Sequence, residues 1–276
     1  MANSINTNYG AAVALQSLNK TNAQLETAQN RINTGMKVSS AKDNGAIFAI
    51  ATIQRANMGA QDAVRNSLQR GQSIIDVALA AGDTATSALE EMKALAVNIA
   101  SSTGDAQTAY LADYNALGKE VASALSGASF DGVNLWNTTT ATNVTTSTAA
   151  TGNTYQIGFG TVDKAAATAI TDITATATAP ADAAAAAAFS TKVDAAIKSV
   201  TSDLATLGTQ SKSVGRQIAY VGKLQDALEA GIGNLVDADL AKESARLTAL
   251  QTKQQLGVQA LSIANSSSSI LLGLFR

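Results

Sequence analysis

Residues 193–235, VDAAIKSVTSDLATLGTQSKSVGRQIAYVGKLQDALEAGIGNL, decide the fold of this chain. An apolar side chain recurs at every seventh position of this stretch: Val193, Val200, Leu207, Val214, Val221, Leu228 and Leu235. Most companion positions of the heptad are also apolar, namely Ile197, Leu204, Ile218 and Ile232. A row sustained over this length favours a coiled-coil helix over an ordinary core helix. We therefore predict one long helix over 180–236, with Pro180 in its first turn.

The N-terminal half carries the matching helices. Two heptad rows run through a predicted helix that ends near Ile99: Leu68, Ile75, Leu89 and Ala96 in one, and Val64, Ala78, Met92 and Ile99 in the other. Gly82 interrupts the first row and Gly71 the second, so the rows are imperfect. A further helix is predicted from about Asp105 to Leu125.

Two outer segments complete the helical pattern. Leu18, Leu25 and Ile32 repeat every seven residues beside Leu15, and Gly35 is expected to end that helix in a left-handed conformation. Ser40–Asp43 is typical of a helix start. Near the C-terminus, Val236–Asp239 interrupts the helix, and Asp237 or Asp239 is expected to cap the last one. That helix carries two apolar rows: Leu240, Leu247 and Leu261 in one, and Leu256, Ile263 and Ile270 in the other, with Leu271 beside it.

The middle of the chain has a different composition. Residues 138–178 contain 15 Thr and few large apolar side chains, which predicts an exposed segment, β-rich or irregular. Asp131-Gly132 is a tight-turn signal, and Tyr155, Ile157 and Phe159 alternate as in a strand.

The predicted class is therefore mainly α: a long antiparallel coiled-coil or helical-bundle rod, with a terminal helix pair and a small β-hairpin-rich excursion. We expect five parts: an N-terminal helix over 1–35, long helices and a first hairpin over 36–135, a Thr/Ala-rich exposed segment over 136–179, a long helix over 180–236 and a last helix over 237–276. The terminal pair would expose apolar faces that a monomer cannot cover, which calls for copies of the chain.

Composition argues against several other functions. The net charge is −2 with 19 basic and 21 acidic residues, so no basic field is available for nucleic acid. The chain has no His and no Cys, which removes the commonest acid–base group, the thiol nucleophile and the usual zinc ligands. No cofactor and no metal are predicted. Met1–Leu15 lacks the basic start and continuous apolar core of a secretory signal, and no segment is long enough to span a membrane.

Short motifs at both ends resemble the bacterial flagellins. They are Ile5–Asn8, Arg31–Gly35, Val38–Asp43, Ala49-Ile50, Leu95–Val97, Phe130–Val133, Asp237–Ala241 and Ser269–Arg276. The resemblance covers about residues 1–135 and 190–276 and leaves the Thr-rich middle unmatched. It implies a short flagellin with little or no outer domain, a structural subunit that polymerises into the flagellar filament and is not an enzyme. The terminal helices, with the leucines and isoleucines named above, would form its inner tube. Some flagellins carry O-linked glycans, so the resemblance makes candidate O-glycosylation positions of Thr142, Thr145, Thr146, Ser147 and Thr148.

The resemblance also implies partners and a location. Flagellins leave the cell through the flagellar type III export apparatus without a cleaved signal, with an export chaperone, and meet junction and cap proteins, so an extracellular filament is expected. Many flagellins carry an Arg just before Leu-Ala-Val, where an innate immune receptor docks. Glu91 stands at that position before Leu95–Val97, which argues against such recognition.

Three alternatives remain open at this point. A hook–filament junction protein shares terminal helices of this kind, although many of those proteins carry a larger middle domain. A secreted helical effector or a membrane-active protein would bind liposomes as a monomer. A soluble enzyme is disfavoured because no catalytic constellation is apparent.

Overall fold

The computed structural model describes residues 8–137, 142–146, 154–159, 170–181 and 183–274, without the side chains of 183 and 267–274. Five long helices and one two-stranded sheet follow one another along these residues. Their bounds are α1 Tyr9–Thr34, α2 Gly45–Ser101, α3 Asp105–Gly127, β1 Thr142–Thr145, β2 Thr154–Ile157, α4 Ala183–Val236 and α5 Leu240–Leu274. A short helical turn at 170–174 lies between β2 and α4. The mainly α class with a small antiparallel hairpin is confirmed.

Local signals account for several helix ends. Asn8 caps α1, since its side-chain Oδ1 accepts a hydrogen bond from the Ala11 amide at 3.0 Å. Gly35 ends α1 with φ 69°, as predicted for a left-handed cap. Asp239 is the carboxylate that caps α5, because its Oδ1 accepts from the Lys242 amide at 3.1 Å.

Two predicted helix starts are wrong in detail. Helix α2 begins at Gly45, where Asn44 Oδ1 accepts from the Ile47 amide, and not within Ser40–Asp43. Asp43 instead turns back and accepts four hydrogen bonds from the amides and hydroxyls of Ser39 and Ser40. These bonds lower the pKa of Asp43 below its usual 3.8, the Ser39 hydroxyl contributing most. Helix α4 begins at Ala183, so Pro180 precedes it and does not form its first turn.

The chain divides into two compact units. We call residues Met1–Ala56 and Ala227–Arg276 the terminal unit, and residues Asn57–Asp226 the central unit. The boundaries predicted at 35/36 and 236/237 coincide with helix ends, whereas the compact units divide inside α2 and α4. The reason is a small core of Val38, Ala51, Ile232 and Val236, which joins the start of α2 and the end of α4 to the terminal unit.

In the central unit, the two heptad rows of α2 lie against the row of α4. Leu68, Ile75, Leu89, Met92 and Ile99 are fully buried, as are Val193, Val200, Leu207 and Val214. Farther along α4 the buried positions change, since Leu228 and Leu235 are only half-buried while Ile232 and Val236 are buried. Tyr114 of α3 packs edge-on against Phe189, and burial raises the pKa of Tyr114 to about 12.

The middle segment is not simply an exposed excursion. Val144 of β1, Ile157 of β2 and Ile173 of the helical turn are 3%, 0% and 1% exposed, so the prediction of an exposed segment is wrong at these positions. Strands β1 and β2 pair antiparallel, with Val144 opposite Tyr155. The Asp131-Gly132 turn is confirmed: both residues have positive φ, and Phe130 bridges Val133.

The glycines that interrupt the α2 rows explain this burial. A methyl group on Gly71 would lie 2.7 Å from Val144 Cγ2, and one on Gly82 would lie 2.5 Å from Leu204 Cδ2 and 2.8 Å from Trp136 Cζ2. Trp136 also donates its indole N–H to the Ala78 carbonyl at 2.9 Å. On α3, a methyl group on Gly118 would lie 2.8 Å from the Ile173 carbonyl oxygen. Each glycine therefore leaves room for a neighbouring side chain or backbone group.

Candidate assembly surface

The terminal unit is built on an antiparallel pair formed by α1 and α5. Asn8 donates to the Ala264 carbonyl at 2.8 Å, and Gln254 donates to the Asn22 carboxamide oxygen at 2.8 Å. Arg31 Nη1 lies 3.0 Å from Glu243 Oε1. Residues later in α1 thus contact residues earlier in α5. The two helices are therefore antiparallel, as expected for the terminal pair.

Small side chains fill the contact between the two helices. Thr21 and Ala28 of α1 are 3% and 1% exposed, and Leu250 of α5 is 7% exposed. A methyl group on Gly257 would lie 3.3 Å from Leu18 Cδ1. Because Thr21, Ala28 and Gly257 are small, the two helices approach closely at these positions.

The connection between the pair and the long helices is held by backbone bonds. The Ala238 amide donates to the Gly35 carbonyl at 2.9 Å, and the Lys37 amide donates to the Val236 carbonyl at 2.7 Å. Met36 forms an isolated bridge with Asp237. Asp237 therefore contributes its backbone to the chain connection, and the side chain of Asp239 caps α5.

The predicted surface residues fall into two groups. Leu18, Leu25 and Ile32 of α1, with Leu247 and Leu261 of α5, are half-buried in the single chain. Leu15, Leu240, Leu256 and Ile263 remain 48%, 51%, 59% and 71% exposed. Ile270 and Leu271 lie in α5, but their side chains are outside the described residues. Leu256 and Ile263 of the second row of α5 are thus left mostly uncovered by the described chain.

Further exposed apolar side chains were missed from the sequence. Tyr9, Val13 and Val258 on the helix pair, and Ile50 and Ile53 at the start of α2, are all between 47% and 80% exposed. They do not share a heptad row with the leucines, so a search for rows passes over them. Val258 could have been found from the apolar residues on all sides of α5, whereas no pattern in the sequence singles out the other four.

The terminal unit therefore contains most of the exposed apolar surface of the described chain. Nine of the twelve exposed large hydrophobic side chains lie in it, and only Val97, Phe130 and Tyr220 lie in the central unit. By contrast, 27 of the 33 buried hydrophobic residues belong to the central unit. Apolar surface of this extent marks a site for protein–protein contact.

Other chemistry finds no support among the described residues. Nowhere among them do three or more acidic side chains gather as a metal site would require. No helix in the described part of the chain combines the length and apolar character needed to cross a membrane. A concave surface whose lining includes Tyr114, Asp172, Pro180, Phe189 and Lys192 offers neither His nor Cys, since the chain has none.

The remaining predicted positions lie in the central unit. Glu91 is exposed on α2, and Thr145 is exposed on β1, whereas Thr142 and Thr146 are half-buried. Ser147 and Thr148 lie outside the described residues.

Comparison with known proteins identifies related sequence at both ends of the chain. The family model described as the bacterial flagellin N-terminal helical region matches residues 5–141, and the model of the C-terminal helical region matches residues 190–275. Flagellin FljM of Caulobacter vibrioides is 51% identical over 99% of both chains. A flagellin of Brucella melitensis is 39% identical, also over 99% of both chains. A crystal structure of Bacillus cereus flagellin aligns with a TM-score of 0.47 at 20% identity, covering 56% of this chain and 88% of that one.

Proposed function

This chain belongs to the bacterial flagellin family and is a structural subunit that polymerises with copies of itself into the flagellar filament; from that premise, we propose that its terminal unit supplies the apolar faces that neighbouring copies cover. Flagellins are structural proteins, and we propose no catalytic activity for this chain. None of the comparisons favours the alternative of a hook–filament junction protein.

The observation that carries this proposal is the exposed apolar row of α5, with the apolar side chains around it. Leu256, Val258 and Ile263 are each more than half exposed, although a soluble helix normally turns such side chains inward. Full burial of one such side chain contributes about 1.5–3 kcal/mol. In a polymer, each added subunit covers exposed apolar side chains of its neighbours and has its own covered in turn. This burial free energy is therefore gained at each addition and favours growth of the filament.

The half-buried residues are proposed to act with the exposed ones. Leu18, Leu25 and Ile32 pack α1 against α5 within one subunit and leave part of each side chain for a neighbour. Helices that depend on neighbours in this way are expected to be poorly ordered in the free monomer, especially over 1–35 and 240–276. The terminal helices would become the inner tube of the filament, and the row of α4 would stabilise the layer around it.

The remaining partners are proposed on the strength of family membership. We expect export through the flagellar type III apparatus without a cleaved signal, assistance by an export chaperone, contact with junction and cap proteins and an extracellular filament. The exposed Glu91 replaces a family Arg with the opposite charge and argues against innate immune receptor docking. Of the three candidate O-glycosylation positions that the structure describes, Thr145 is the exposed one.

The test is a charge in the uncovered row. Ile263→Asp should leave the helicity of the monomer unchanged, because the side chain is 71% exposed, and should abolish filaments by placing a carboxylate in an apolar interface. Circular dichroism of the monomer and negative-stain microscopy of seeded assemblies measure the two effects. Ile263→Val is the matched control and should still assemble. Normal filaments from Ile263→Asp would refute the proposed surface.

A further inference from the structure

We propose that the central unit carries an acidic face on α2 and a basic face on α4, and that the acidic face of one copy of the chain binds the basic face of a neighbouring copy. The acidic face consists of Asp62, Asp76, Asp83 and Glu90, and the basic face of Lys198, Lys212, Arg216 and Lys223. This inference rests on the proposed function, because it concerns how copies associate. It uses the central unit, however, and not the apolar surface of the terminal unit.

The acidic face follows one heptad position of α2. Its four members are separated by multiples of seven residues, and all four are exposed. At about 100° per residue, Asp76 lies about 160° around the helix from the buried Ala78, so the row is turned away from the core. With a rise of about 1.5 Å per residue, the row extends over about 42 Å of helix. One side of α2 thus carries negative charge along most of the central unit.

The basic face has a matching length on α4. Its four members lie within about 40° of one another around the helix and extend over about 38 Å. All four are exposed. Between the cations, the same side of α4 carries the small residues Ala205, Thr209 and Ala219. Small side chains at these positions leave room for a neighbouring helix to approach.

The two faces lie at the same level of the central unit. Gln72 Nε2 donates to Ser211 Oγ at 2.7 Å, and Lys93 Nζ lies 2.6 Å from Asp194 Oδ1. A later residue of α2 thus meets an earlier residue of α4, so the two helices are antiparallel. Residues 62–90 of α2 therefore lie beside the part of α4 that carries the basic face. A neighbouring copy placed side by side can bring opposite charges together along the whole length of both faces.

Neither face is neutralised within the chain. Of the ion pairs in the described part of the chain, none includes a member of either face. The hydrogen bonds that Asp62 and Asp76 accept come from the side-chain amides of glutamines, which carry no charge. Lys212 and Arg216 lie four residues apart on α4, a spacing at which like charges repel each other. The single chain therefore carries a repulsion that a partner of opposite charge would remove.

Exposed apolar side chains border both faces. Val97 occupies the next position of the α2 row after Glu90 and is 56% exposed. Tyr220 lies within one helical turn of both Arg216 and Lys223 and is 61% exposed. These are two of the three exposed large hydrophobic side chains in the described part of the central unit. Tyr and Arg are enriched in protein interfaces, which supports a protein as the partner.

A second copy of the chain fits both faces at once. A polyanion such as nucleic acid would suit the basic face but would be repelled by the acidic face at the same level. Because the two faces are complementary and not identical, the contact between copies is heterologous, and each copy keeps one face free for a further neighbour. Exposed ion pairs are individually weak. The charged faces are therefore assigned the orientation of neighbouring copies, in addition to the apolar contacts of the terminal unit.

The test reverses the charge of each face. The acid-reversed variant is Asp76→Lys/Asp83→Lys/Glu90→Lys, and the base-reversed variant is Lys212→Glu/Arg216→Glu/Lys223→Glu. A third variant combines all six substitutions and so exchanges the two faces. Sedimentation of seeded assemblies gives the critical concentration, and negative-stain microscopy distinguishes filaments from amorphous aggregates. Circular dichroism checks that each monomer keeps its helices.

The matched control reverses three acidic residues outside the face. Glu91, Asp113 and Glu120 are exposed residues of α2 and α3. Glu91→Lys/Asp113→Lys/Glu120→Lys changes the net charge by the same amount as the acid-reversed variant. This control should assemble within about threefold of the parent critical concentration, since exposed charges outside an interface contribute little.

We expect each reversed variant to need a critical concentration at least about tenfold higher than the parent, because like charges then meet along the contact. An equimolar mixture of the two reversed variants should form filaments at a total concentration about tenfold below that of either alone. In that mixture, the basic faces of one variant meet the acidic faces of the other. The variant with all six substitutions should assemble within about threefold of the parent.

A mixture that forms no filaments, or forms them no better than its components, would overturn the proposal. So would a control as defective as the acid-reversed variant. If the variant with six substitutions recovered and the mixture did not, the charges would act between α2 and α4 of one chain, and the proposal would again be wrong. Failure of the proposed function is seen separately, because Ile263→Asp would then assemble normally whatever the charge variants do.

Discussion

The two units of this flagellin use their apolar residues in opposite ways. In the central unit, α2, α3, α4 and the hairpin bury their large side chains against one another, as the complete burial of Leu207 and Met92 shows. In the terminal unit, α1 and α5 meet through Thr21 and Ala28 and leave Ile263 uncovered. Apolar side chains buried within one chain stabilise the single subunit. Apolar side chains left exposed are instead buried when the subunit associates with copies of itself.

The largest expected effect comes from placing a charge in the buried core of the central unit. Leu207 is 0% exposed, so Leu207→Asp would bury a carboxylate without a partner and should cost more than about 4 kcal/mol of unfolding free energy. Urea denaturation followed by circular dichroism measures that loss, and Leu207→Met is the volume-matched control. If Leu207→Asp and Ile263→Asp lost helicity to the same extent, the distinction between the units would be wrong.

A smaller effect should come from filling a glycine of α2. In Gly71→Ala the new methyl group would meet Val144 Cγ2, so we expect a loss of about 1–3 kcal/mol from overpacking. Val144→Ala in the same chain should recover part of that loss because it removes the clashing methyl groups. Thermal unfolding of the two single variants and the double variant completes the cycle.

Gly59 provides the control for that cycle. It lies on α2 with no atom near the position of an added methyl group, so Gly59→Ala should stabilise the helix by about 0.5–1 kcal/mol. If the losses of unfolding free energy from Gly71→Ala and Val144→Ala simply added in the double variant, Val144 of the hairpin would not pack against Gly71.

The sequence predicts the helices better than it predicts their contacts. The row from Val193 to Val221 is strictly periodic. Its burial can therefore be predicted from a single helix that packs one face against a partner. The change of buried positions after Val221 depends on the core of Val38 and Ala51, which belongs to a distant part of the chain. From the sequence, Gly71 and Gly82 look like interruptions of the heptad rows. A glycine does not indicate which neighbouring side chain occupies the space that it leaves.

The candidate surface could be predicted only in part for a related reason. Leu256 and Ile263 lie on a recognisable row, but Leu247 and Leu261 look equivalent to them until α1 is placed against α5. Tyr9 and Val13 lie outside any row. The pairing of Arg31 with Glu243 spans most of the chain, and no local pattern relates the two residues.

The smallest expected effect concerns pH and lies in the terminal unit. The four hydrogen bonds that Asp43 accepts favour its ionised form, so the folded pKa lies below 3.8 and the unfolded pKa near it. The stabilisation is therefore fully present above about pH 4 and is lost as the pH falls through the folded pKa.

Because Asp43 is exposed, we expect a local release of Ser39 and Ser40 and not unfolding of the central unit. The amide resonances of both serines should shift below about pH 4 in the parent protein and stay insensitive to pH in Asp43→Asn. Loss of the central-unit amide protection over the same range would show that the two units respond to acid together, contrary to the contrast drawn between them.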